Sequence, residues 1–186
     1  MILAGDVGGT KCVLAIFTSE KGRPVLIREG VFPSLSYNDF STVIREFLRE
    51  GGGSVRRACF GVAGPVIDNR VETTNLVWVV DGNQIAREFG IPSVTLLNDL
   101  EATAHGVLGL DESEVRFLNL GSPNKEGNRA VIAAGTGLGE AVLFWDGSSH
   151  RPSPSEGGHV DFAPRNPLEI RLLEHLLKRY RRVSYE

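Results

Sequence analysis

The first seventeen residues place the tightest constraint on the fold, because two apolar runs are separated by an acid, two glycines and a threonine. Residues 1–5 indicate a buried strand, Gly8 and Gly9 a tight turn, and residues 12–17 a second strand. The pattern predicts a strand–turn–strand hairpin with the Asp6 carboxylate at its rim. Glycines let a backbone approach a ligand closely, and the N–H groups of such a turn can hold an anion.

The acid at this turn admits two interpretations. Asp6 contacts a phosphate favourably only when a cation lies between them, so the motif fits Mg²⁺ bound together with a nucleotide. An ordinary hairpin turn explains the same residues, because Gly-Gly pairs are common in turns. Motifs in the remainder of the chain are needed to distinguish a phosphate-binding turn from an ordinary hairpin turn.

Length, charge and cysteine content exclude several classes of protein. The chain has 186 residues, enough for one large domain or for one domain and part of another. Its net charge of -3 gives no electrostatic argument for nucleic acid or for an anionic membrane surface. Cys12 and Cys59 lie in apolar runs and indicate buried thiols in a reducing compartment. No secretory signal or membrane-spanning stretch is recognised, so we expect a cytoplasmic protein.

Strands alternate with helices after the first hairpin, which predicts an α/β fold with a partly parallel sheet. A third strand at 24–31 should complete an antiparallel meander. Ser36 is the expected start of the first helix, with Asp39 completing a capping box. The elements expected next are strands at 58–62 and 93–97 and helices at 83–89 and 102–108.

The pattern starts again near residue 116, so we expect a small lobe at 1–109 and the beginning of a larger lobe at 110–186. A strand–turn–strand unit around GTGLG at 135–139 resembles the first hairpin, which suggests one phosphate-binding hairpin in each lobe. The other expectations for this half are a strand at 117–120, an irregular loop at 150–154, and a helix capped by Asn166, Pro167 and Glu169 that runs to about Arg182.

Asp99 is the best candidate for a catalytic group, because it follows an apolar strand and precedes a helix. Ligands of open α/β sheets bind at the carboxyl ends of the strands. A carboxylate there can accept the proton of a hydroxyl that attacks phosphorus, and the neighbouring Asn98 can bind a sugar hydroxyl. The alternative is that Asp99 only caps the helix that follows.

A second polar group brackets two glycines, where Glu156 and His159 could hold adjacent hydroxyls of a polyol. The alternative is a surface loop that happens to carry a charged and a titratable residue. Other motifs fail: there is no P-loop signature, no zinc-type cysteine–histidine spacing, and Glu140 interrupts a dinucleotide-binding pattern.

Taken together, six stretches resemble the bacterial glucokinase family of the hexokinase-like, actin-like ATPase superfamily. In chain order they are GDVGGT (5–10), AGPV (63–66), TNLVW (74–78), LND (97–99), AGTGLG (134–139) and EGGHVDFAP (156–164). The last is the most specific, and the stretches cover the chain in the family's order. The resemblance implies an actin-like ATPase (ribonuclease H-like) fold with a mixed sheet and helices, and phosphorylation of glucose or a close hexose by ATP with Mg²⁺.

The resemblance also implies roles for individual residues. Asp99 would be the general base for the sugar 6-hydroxyl, and Asp6 would hold Mg²⁺ through water. The sugar ligands would be Asn98, Asp99, Glu156, His159 and, at the end of VSYE (183–186), Glu186. The ATP phosphates would be bound by Gly8, Gly9, Thr10, Thr136 and Gly137, together with Asp6 through its cation.

Members of the family continue past the position of residue 186, so the chain resembles the N-terminal part of a longer member, with a complete small lobe and an incomplete larger one. Related repressor–kinase sugar kinases usually carry a zinc-binding cysteine cluster that this sequence lacks, which favours the glucokinase branch. A kinase of another hexose and a non-catalytic sugar-binding fragment remain alternatives, as does polyphosphate as donor. Dimers are common in the family, so the resemblance admits a homodimer.

Overall fold

The computed structural model of the chain describes residues 1–51, 53–73, 76–122, 124–135 and 137–186. The chain divides into two compact units, Met1–Thr103 and Ala104–Glu186. The expected assignment of 1–109 and 110–186 as two functional lobes stays a prediction. Within the described ranges, no helix is both long and apolar enough to cross a membrane.

A mixed sheet forms the centre of the first unit. The strands found among its described residues are β1 (Ile2–Val7), β2 (Lys11–Glu20), β3 (Arg23–Pro33), β4 (Arg57–Val62), β5 (Arg70–Glu72), β6 (Val79–Asp81) and β7 (Ser93–Asn98). The predicted meander is confirmed, because β1, β2 and β3 pair antiparallel. β4 pairs parallel with both β1 and β7, so the main sheet has the order β3-β2-β1-β4-β7. β5 and β6 form a small antiparallel pair.

The first helix, α1 (Phe40–Arg49), begins after Asp39, whose Oδ1 accepts a hydrogen bond of 2.7 Å from the backbone N–H of Thr42. The prediction that Ser36 opens this helix is wrong. Ser36 ends a short 3₁₀ turn, and Tyr37 after it is extended, with φ -125° and ψ 144°. Asp39 is therefore the cap itself, one turn later than the sequence pattern indicated.

The next two helices lie close to their predicted positions. α2 (Gly82–Phe89) is capped by Asp81 and ends at Gly90, whose φ of 64° lies in the left-handed region that favours glycine. α3 (Asp99–Val107) begins three residues before the predicted start at Ala102. Asp99 is consequently the first residue of a helix and follows β7 directly.

Aromatic rings fill the core of the first unit. One cluster of buried side chains joins the main sheet to α1 and α2. At its centre the ring of Phe40 on α1 meets the ring of Phe60 on β4 edge to face, with centroids 5.0 Å apart. Both rings are fully buried, so they fix the helix on the sheet.

The second unit repeats an antiparallel meander. Its described strands and helix are β8 (Arg129–Ala134), β9 (Leu138–Trp145), β10 (His150–Ser155) and α4 (Pro167–Leu177). The predicted strand–turn–strand unit is confirmed, since β8 and β9 pair antiparallel across the second glycine turn. β10 then pairs antiparallel with β9, giving the order β10-β9-β8.

Two of the expected elements in this half are wrong. The irregular loop expected at 150–154 is the strand β10, an edge strand that tolerates Pro152 and Pro154. The two prolines lie two residues apart, so the N–H groups that they lack belong to one side of the strand. The strand expected at 117–120 does not form within the described segment 115–122, where the side chain of Leu118 is 96% exposed.

The cap of α4 is confirmed, because Asn166 Oδ1 accepts hydrogen bonds from the N–H groups of Leu168 and Glu169, both at 3.0 Å. Glu169 does not close the expected capping box on Asn166 N–H. It accepts instead from the backbone N–H of Arg165, at 2.6 Å. The helix ends at Leu177 rather than near Arg182.

Candidate active site

The carboxyl ends of three parallel strands lie side by side in the first unit. Val7 on β1 is paired with Val62 on β4, and Val62 is paired with Asn98 on β7. Asp6 is the second-to-last residue of β1, and Asp99 follows β7 at the start of α3. The sheet therefore brings the predicted cation ligand and the predicted base to one edge, where open α/β sheets bind ligands.

The two carboxylates at this edge influence each other. The side chain of Asp6 reaches solvent, yet the protein atoms packed around its carboxyl group raise its pKa. The negative charge of Asp99 raises the pKa of Asp6 further, and the positive charge of Lys11 opposes that rise. A cation beside Asp6 would therefore stabilise the charged form of this carboxylate.

Asn98 caps α3. Its Oδ1 accepts hydrogen bonds from the N–H groups of Leu100 at 3.0 Å and Glu101 at 3.3 Å, and its Nδ2 donates to the carbonyl of Gly64 at 3.2 Å. Both polar atoms of Asn98 therefore already bind the backbone. A sugar hydroxyl at this position would have to share them.

Asp99 keeps one carboxylate oxygen available. Its Oδ1 accepts a hydrogen bond of 2.9 Å from the N–H of Leu100. For its Oδ2, the described part of the chain offers no hydrogen-bond partner. Of the two interpretations of Asp99, the capping role belongs chiefly to its neighbour Asn98.

The sequence did not reveal the importance of Gly61, which is paired with Asp6 in the sheet. A Cβ atom on Gly61 would lie 3.0 Å from the Cβ of Ala102 and 3.7 Å from the Cα of Asp99. The first turn of α3 therefore rests directly on β4 at this glycine. A glycine inside a predicted strand, which often marks a close backbone approach, was the available signal.

The side chain of Asn69 binds the edge of β7 that lies away from β4. Its Nδ2 donates to the carbonyl of Val94 at 3.0 Å, and its Oδ1 accepts from the N–H of Leu96 at 2.8 Å. Asn69 itself has a φ of 59°, in the left-handed region that asparagine tolerates better than most residues. The side chain thus fixes the strand that ends at Asn98, directly before Asp99.

The first glycine turn joins β1 to β2 and contains Gly8, Gly9 and Thr10. It is closed by a hydrogen bond of 3.1 Å from the N–H of Gly8 to the carbonyl of Lys11. The three predicted phosphate ligands thus follow Asp6 closely along one turn. Ser34, from the 3₁₀ turn after β3, donates a hydrogen bond to the carbonyl of Gly8 in this turn.

The second glycine turn lies in the second unit, between β8 and β9. The N–H of Gly135 donates to the carbonyl of Gly137 at 2.9 Å. Thr136, a predicted phosphate ligand, lies outside the described residues, as do Thr74 and Asn75 of the TNLVW stretch. Gly137 lies against Glu186, whose carboxylate would collide with any Cβ at that position.

Three predicted sugar ligands come together in the second unit. Nε2 of His159 lies 3.0 Å from Oε2 of Glu186 and 3.7 Å from Oε2 of Glu156. The backbone N–H of Glu186 donates to the carbonyl of Gly158 at 3.0 Å, which holds the two segments together. Arg182, which the sequence did not single out, donates to the carbonyl of His159 at 2.7 Å. The arrangement presents two carboxylates and an imidazole, all partly exposed to solvent.

Known proteins resemble this chain over nearly its whole length. Residues 3–186 match the family model described as Glucokinase. The glucokinase of Nostoc punctiforme is 38% identical over 190 residues, covering 100% of this chain and 56% of that protein. The glucokinase of a Synechocystis species is 40% identical over 198 residues, covering 99% of this chain and 56% of that protein.

Solved structures of glucokinases share the fold of this chain. The crystal structure of a glucokinase from an Antarctic psychrotroph is 31% identical, with a TM-score of 0.84, covering 100% of this chain and 59% of that one. The Balamuthia mandrillaris glucokinase, solved in complex with glucose, is 22% identical with a TM-score of 0.75, covering 100% and 58% of the two chains. The chain spans about half the length of the curated relatives it matches. With a family model matched over nearly every residue, the chain belongs to the glucokinase family.

Proposed function

We propose that the protein carrying this chain transfers a phosphoryl group from ATP to glucose or a closely related hexose. In this proposal the chain has the actin-like ATPase architecture and supplies a small lobe and part of a larger one. Family membership supports the reaction class. The observation that carries the proposal is the meeting of Asp6, the first glycine turn and Asp99 at one edge of the sheet.

Asp99 is the proposed general base. Phosphoryl transfer needs a group that aligns the attacking hydroxyl and accepts its proton. The position of Asp99 at the carboxyl end of β7 supports this role, as does the Oδ2 atom that no described residue engages. Asn98, already bound to the backbone, would orient a second sugar hydroxyl through its shared amide atoms.

Asp6 is the proposed ligand of Mg²⁺, through water. The fit is chemical: a carboxylate whose pKa is raised by its surroundings and by Asp99 is stabilised in its charged form by a cation. Mg²⁺ usually keeps several waters and takes few protein ligands. Among the described residues no group of three or more metal-binding side chains is present, so the nucleotide would complete the coordination. When bound, the ion neutralises charge on the phosphate oxygens.

The remaining predicted ligands form two groups. The backbone of Gly8, Gly9 and Thr10 would bind phosphate oxygens, with Thr136 and Gly137 of the second turn as further phosphate ligands. The cluster of Glu156, His159 and Glu186 would bind sugar hydroxyls, and its close spacing supports that assignment. Polar groups arranged in this way reject sugars that lack a matching hydroxyl, because the groups would be left unpaired.

The proposal is tested with the Asp99→Asn variant. We expect kcat for glucose-dependent ADP formation to fall roughly 10²- to 10⁴-fold, the usual contribution of a general base. Glucose affinity, measured by calorimetry, should stay within about threefold of wild type, because the amide keeps an oxygen that accepts a hydrogen bond from the sugar but cannot take its proton. Glu101→Gln is the matched control, since it removes another carboxylate from the first turn of α3.

Turnover close to wild type in Asp99→Asn would contradict the assignment of the base. A folded wild-type chain that binds glucose but forms no ADP would favour a sugar-binding role without catalysis. A panel of hexoses and amino sugars compared by kcat/KM identifies the substrate. Replacement of ATP by polyphosphate in the same assay identifies the donor.

A further inference from the structure

Ser34 is a polar residue in the interior of the first unit. Its exposed fraction is 0%, and among the described residues it is the only polar residue buried to that degree. It belongs to the 3₁₀ turn that links β3 to α1. A hydroxyl removed from water costs free energy unless it is hydrogen-bonded, so its partners indicate why a serine is accommodated there.

The Ser34 hydroxyl and the Ser34 backbone N–H both bind the first glycine turn, while the Ser34 carbonyl accepts from the N–H of Tyr37. The Ser34 hydroxyl donates to the carbonyl of Gly8 at 2.7 Å, and the Ser34 backbone N–H donates to the carbonyl of Thr10 at 3.0 Å. One residue, 26 positions away from Gly8 in sequence, therefore holds both the Gly8–Gly9 peptide and the Thr10–Lys11 peptide.

A thiol completes the arrangement. Sγ of Cys12 lies 3.3 Å from Oγ of Ser34, and Cys12 is also fully buried. The Ser34 hydroxyl has one hydrogen, which it donates to Gly8, so the thiol must donate to Ser34. Burial raises the pKa of the Cys12 thiol, which keeps its proton in place. The result is a chain of hydrogen bonds from Cys12 through Ser34 to the carbonyl of Gly8.

The hydrogen bond from the Ser34 hydroxyl to the carbonyl of Gly8 fixes the direction of a backbone donor. In a trans peptide the carbonyl and the N–H that follows it point in opposite directions, and the described chain contains no cis peptide bond. Because the carbonyl of Gly8 points towards Ser34, the N–H of Gly9 points away from Ser34. An N–H group oriented in advance binds an anion without first having to be ordered.

We propose that Ser34 is a positioning residue for nucleotide phosphates: its buried hydroxyl orients the Gly8–Gly9 peptide so that the Gly9 N–H faces the phosphate. The inference rests on the proposed function, since it requires that the turn bind the phosphates of ATP. Ser34 does not touch the nucleotide; it acts through the Gly8 peptide. Its contribution should therefore appear in nucleotide binding and be missing from sugar binding.

The test compares Ser34→Ala with Cys12→Ala in the full chain. Each variant removes one buried polar atom at neighbouring positions, but only Ser34→Ala frees the carbonyl of Gly8. We expect Ser34→Ala to weaken Mg-ATP binding about tenfold or more, the size of one lost charge-assisted hydrogen bond. Cys12→Ala should stay within about threefold of wild type. Glucose affinity should change less than twofold in both variants.

Ser34→Cys keeps the proposal testable if Ser34→Ala folds poorly. A thiol is a weaker donor than a hydroxyl, so we expect Mg-ATP affinity between those of Ser34→Ala and wild type. The amide resonance of Gly9 in a ¹⁵N–¹H spectrum, titrated with inorganic tripolyphosphate and Mg²⁺, gives a readout independent of turnover. It should shift in wild type and respond less in Ser34→Ala.

The outcomes separate the inference from the proposed function. Equal losses of Mg-ATP affinity in Ser34→Ala and Cys12→Ala, or equal losses of ATP and glucose affinity, would mean that Ser34 serves the core alone. In that case the kinase proposal stands and the positioning role is overturned. If the wild-type chain binds neither Mg-ATP nor tripolyphosphate, the phosphate-binding role of the turn fails, and the role of Ser34 fails with it.

Discussion

The surroundings of Asp6 disfavour the charged form of its carboxyl group. Nearby protein atoms raise its pKa above the usual 3.8, and Asp99 adds to the rise. Between 3.8 and its higher folded value, the folded chain holds this proton more tightly than the unfolded chain. The free energy of unfolding therefore falls as pH rises through that window, and it stays lower above it.

We expect Asp6→Asn to raise the melting temperature at pH 7, because the neutral amide removes a disfavoured charge. The difference from wild type should shrink as pH falls through this window and disappear below about pH 3.8, where Asp6 is protonated in both states. The same variant should bind Mg-ATP poorly. Thermal unfolding followed between pH 3 and pH 8, alongside calorimetry, measures both effects.

Asp146 provides a control of opposite sign. Its side-chain hydrogen bond with Arg151 and the bonds that it accepts from Ser149 and Ser148 lower its pKa. The stability that such a carboxylate provides is present above its unfolded pKa and is lost as pH falls through its folded value. Asp146→Asn should accordingly lower the melting temperature at pH 7. A fall for Asp6→Asn as well would contradict the electrostatic explanation.

The positions of Asp6 and Asp99 at strand ends were easier to predict than the contacts that support those strands. Each acid follows an apolar run in the sequence, and the pairing of β1 and β7 with β4 shows in addition that the two acids lie at one sheet edge. Ser34, Gly61 and Asn69 act through contacts with distant segments. Ser34 meets Gly8 across 26 positions, and Asn69 meets Leu96 across 27. A local pattern contains no information about such pairings.

At the scale of elements, the placement of α3 depends on its contact with β4. The helix carries Asp99 at its first position, and Gly61 leaves just enough room for Ala102 to pack there. A methyl group added at Gly61 would push the helix away from the sheet. Overpacking of this kind usually costs about 1–3 kcal/mol.

We expect Gly61→Ala to lower the free energy of unfolding by about 1–3 kcal/mol and to reduce kcat, because Asp99 moves with the helix. The double variant Gly61→Ala with Ala102→Gly exchanges the two methyl groups across the contact and should recover most of both losses. Denaturant unfolding and steady-state kinetics on the two single variants and the double variant measure this coupling. Additive losses would show that the contact does not position α3.

The errors of prediction at this scale have physical causes. The sequence correctly indicated a helix cap near Ser36 and Asp39, but it assigned the cap to Ser36 instead of Asp39. Ser36 belongs to the 3₁₀ turn after β3, so the helix begins only after Asp39. The segment expected to be a loop at 150–154 contains two prolines, which an edge strand such as β10 accepts at alternate positions. The apolar run at 117–120 lacked a partner strand within the described segment, and without one a short run does not form a strand.

For the whole chain, buried apolar side chains are distributed unevenly. The core cluster, with Phe40 and Phe60 at its centre, belongs to the first unit. In the described part of the second unit the buried apolar side chains are Ala104, Ala141 and Leu143, and Leu168 on α4 is 68% exposed. Segments with few buried apolar contacts open most readily.

We expect amide hydrogens of β1 and β4 to exchange at least about 100-fold more slowly than those of α4, relative to unstructured peptide rates. The strands β8, β9 and β10 should lie between these limits, because Ala141 and Leu143 bury one face of β9. Hydrogen–deuterium exchange followed by mass spectrometry at neutral pH resolves these segments. Uniform protection along the chain would contradict the prediction.

The side chain of Asn69 has one further consequence. β7 is the last strand of the main sheet, and its outer backbone groups form the kind of exposed edge to which another polypeptide can add as a new strand. The amide of Asn69 occupies the carbonyl of Val94 and the N–H of Leu96 on that edge. The amide thus makes the two hydrogen bonds that a neighbouring strand would make with these backbone groups. A strand from another polypeptide could pair with these two groups only by displacing the side chain that steadies the strand leading to Asp99.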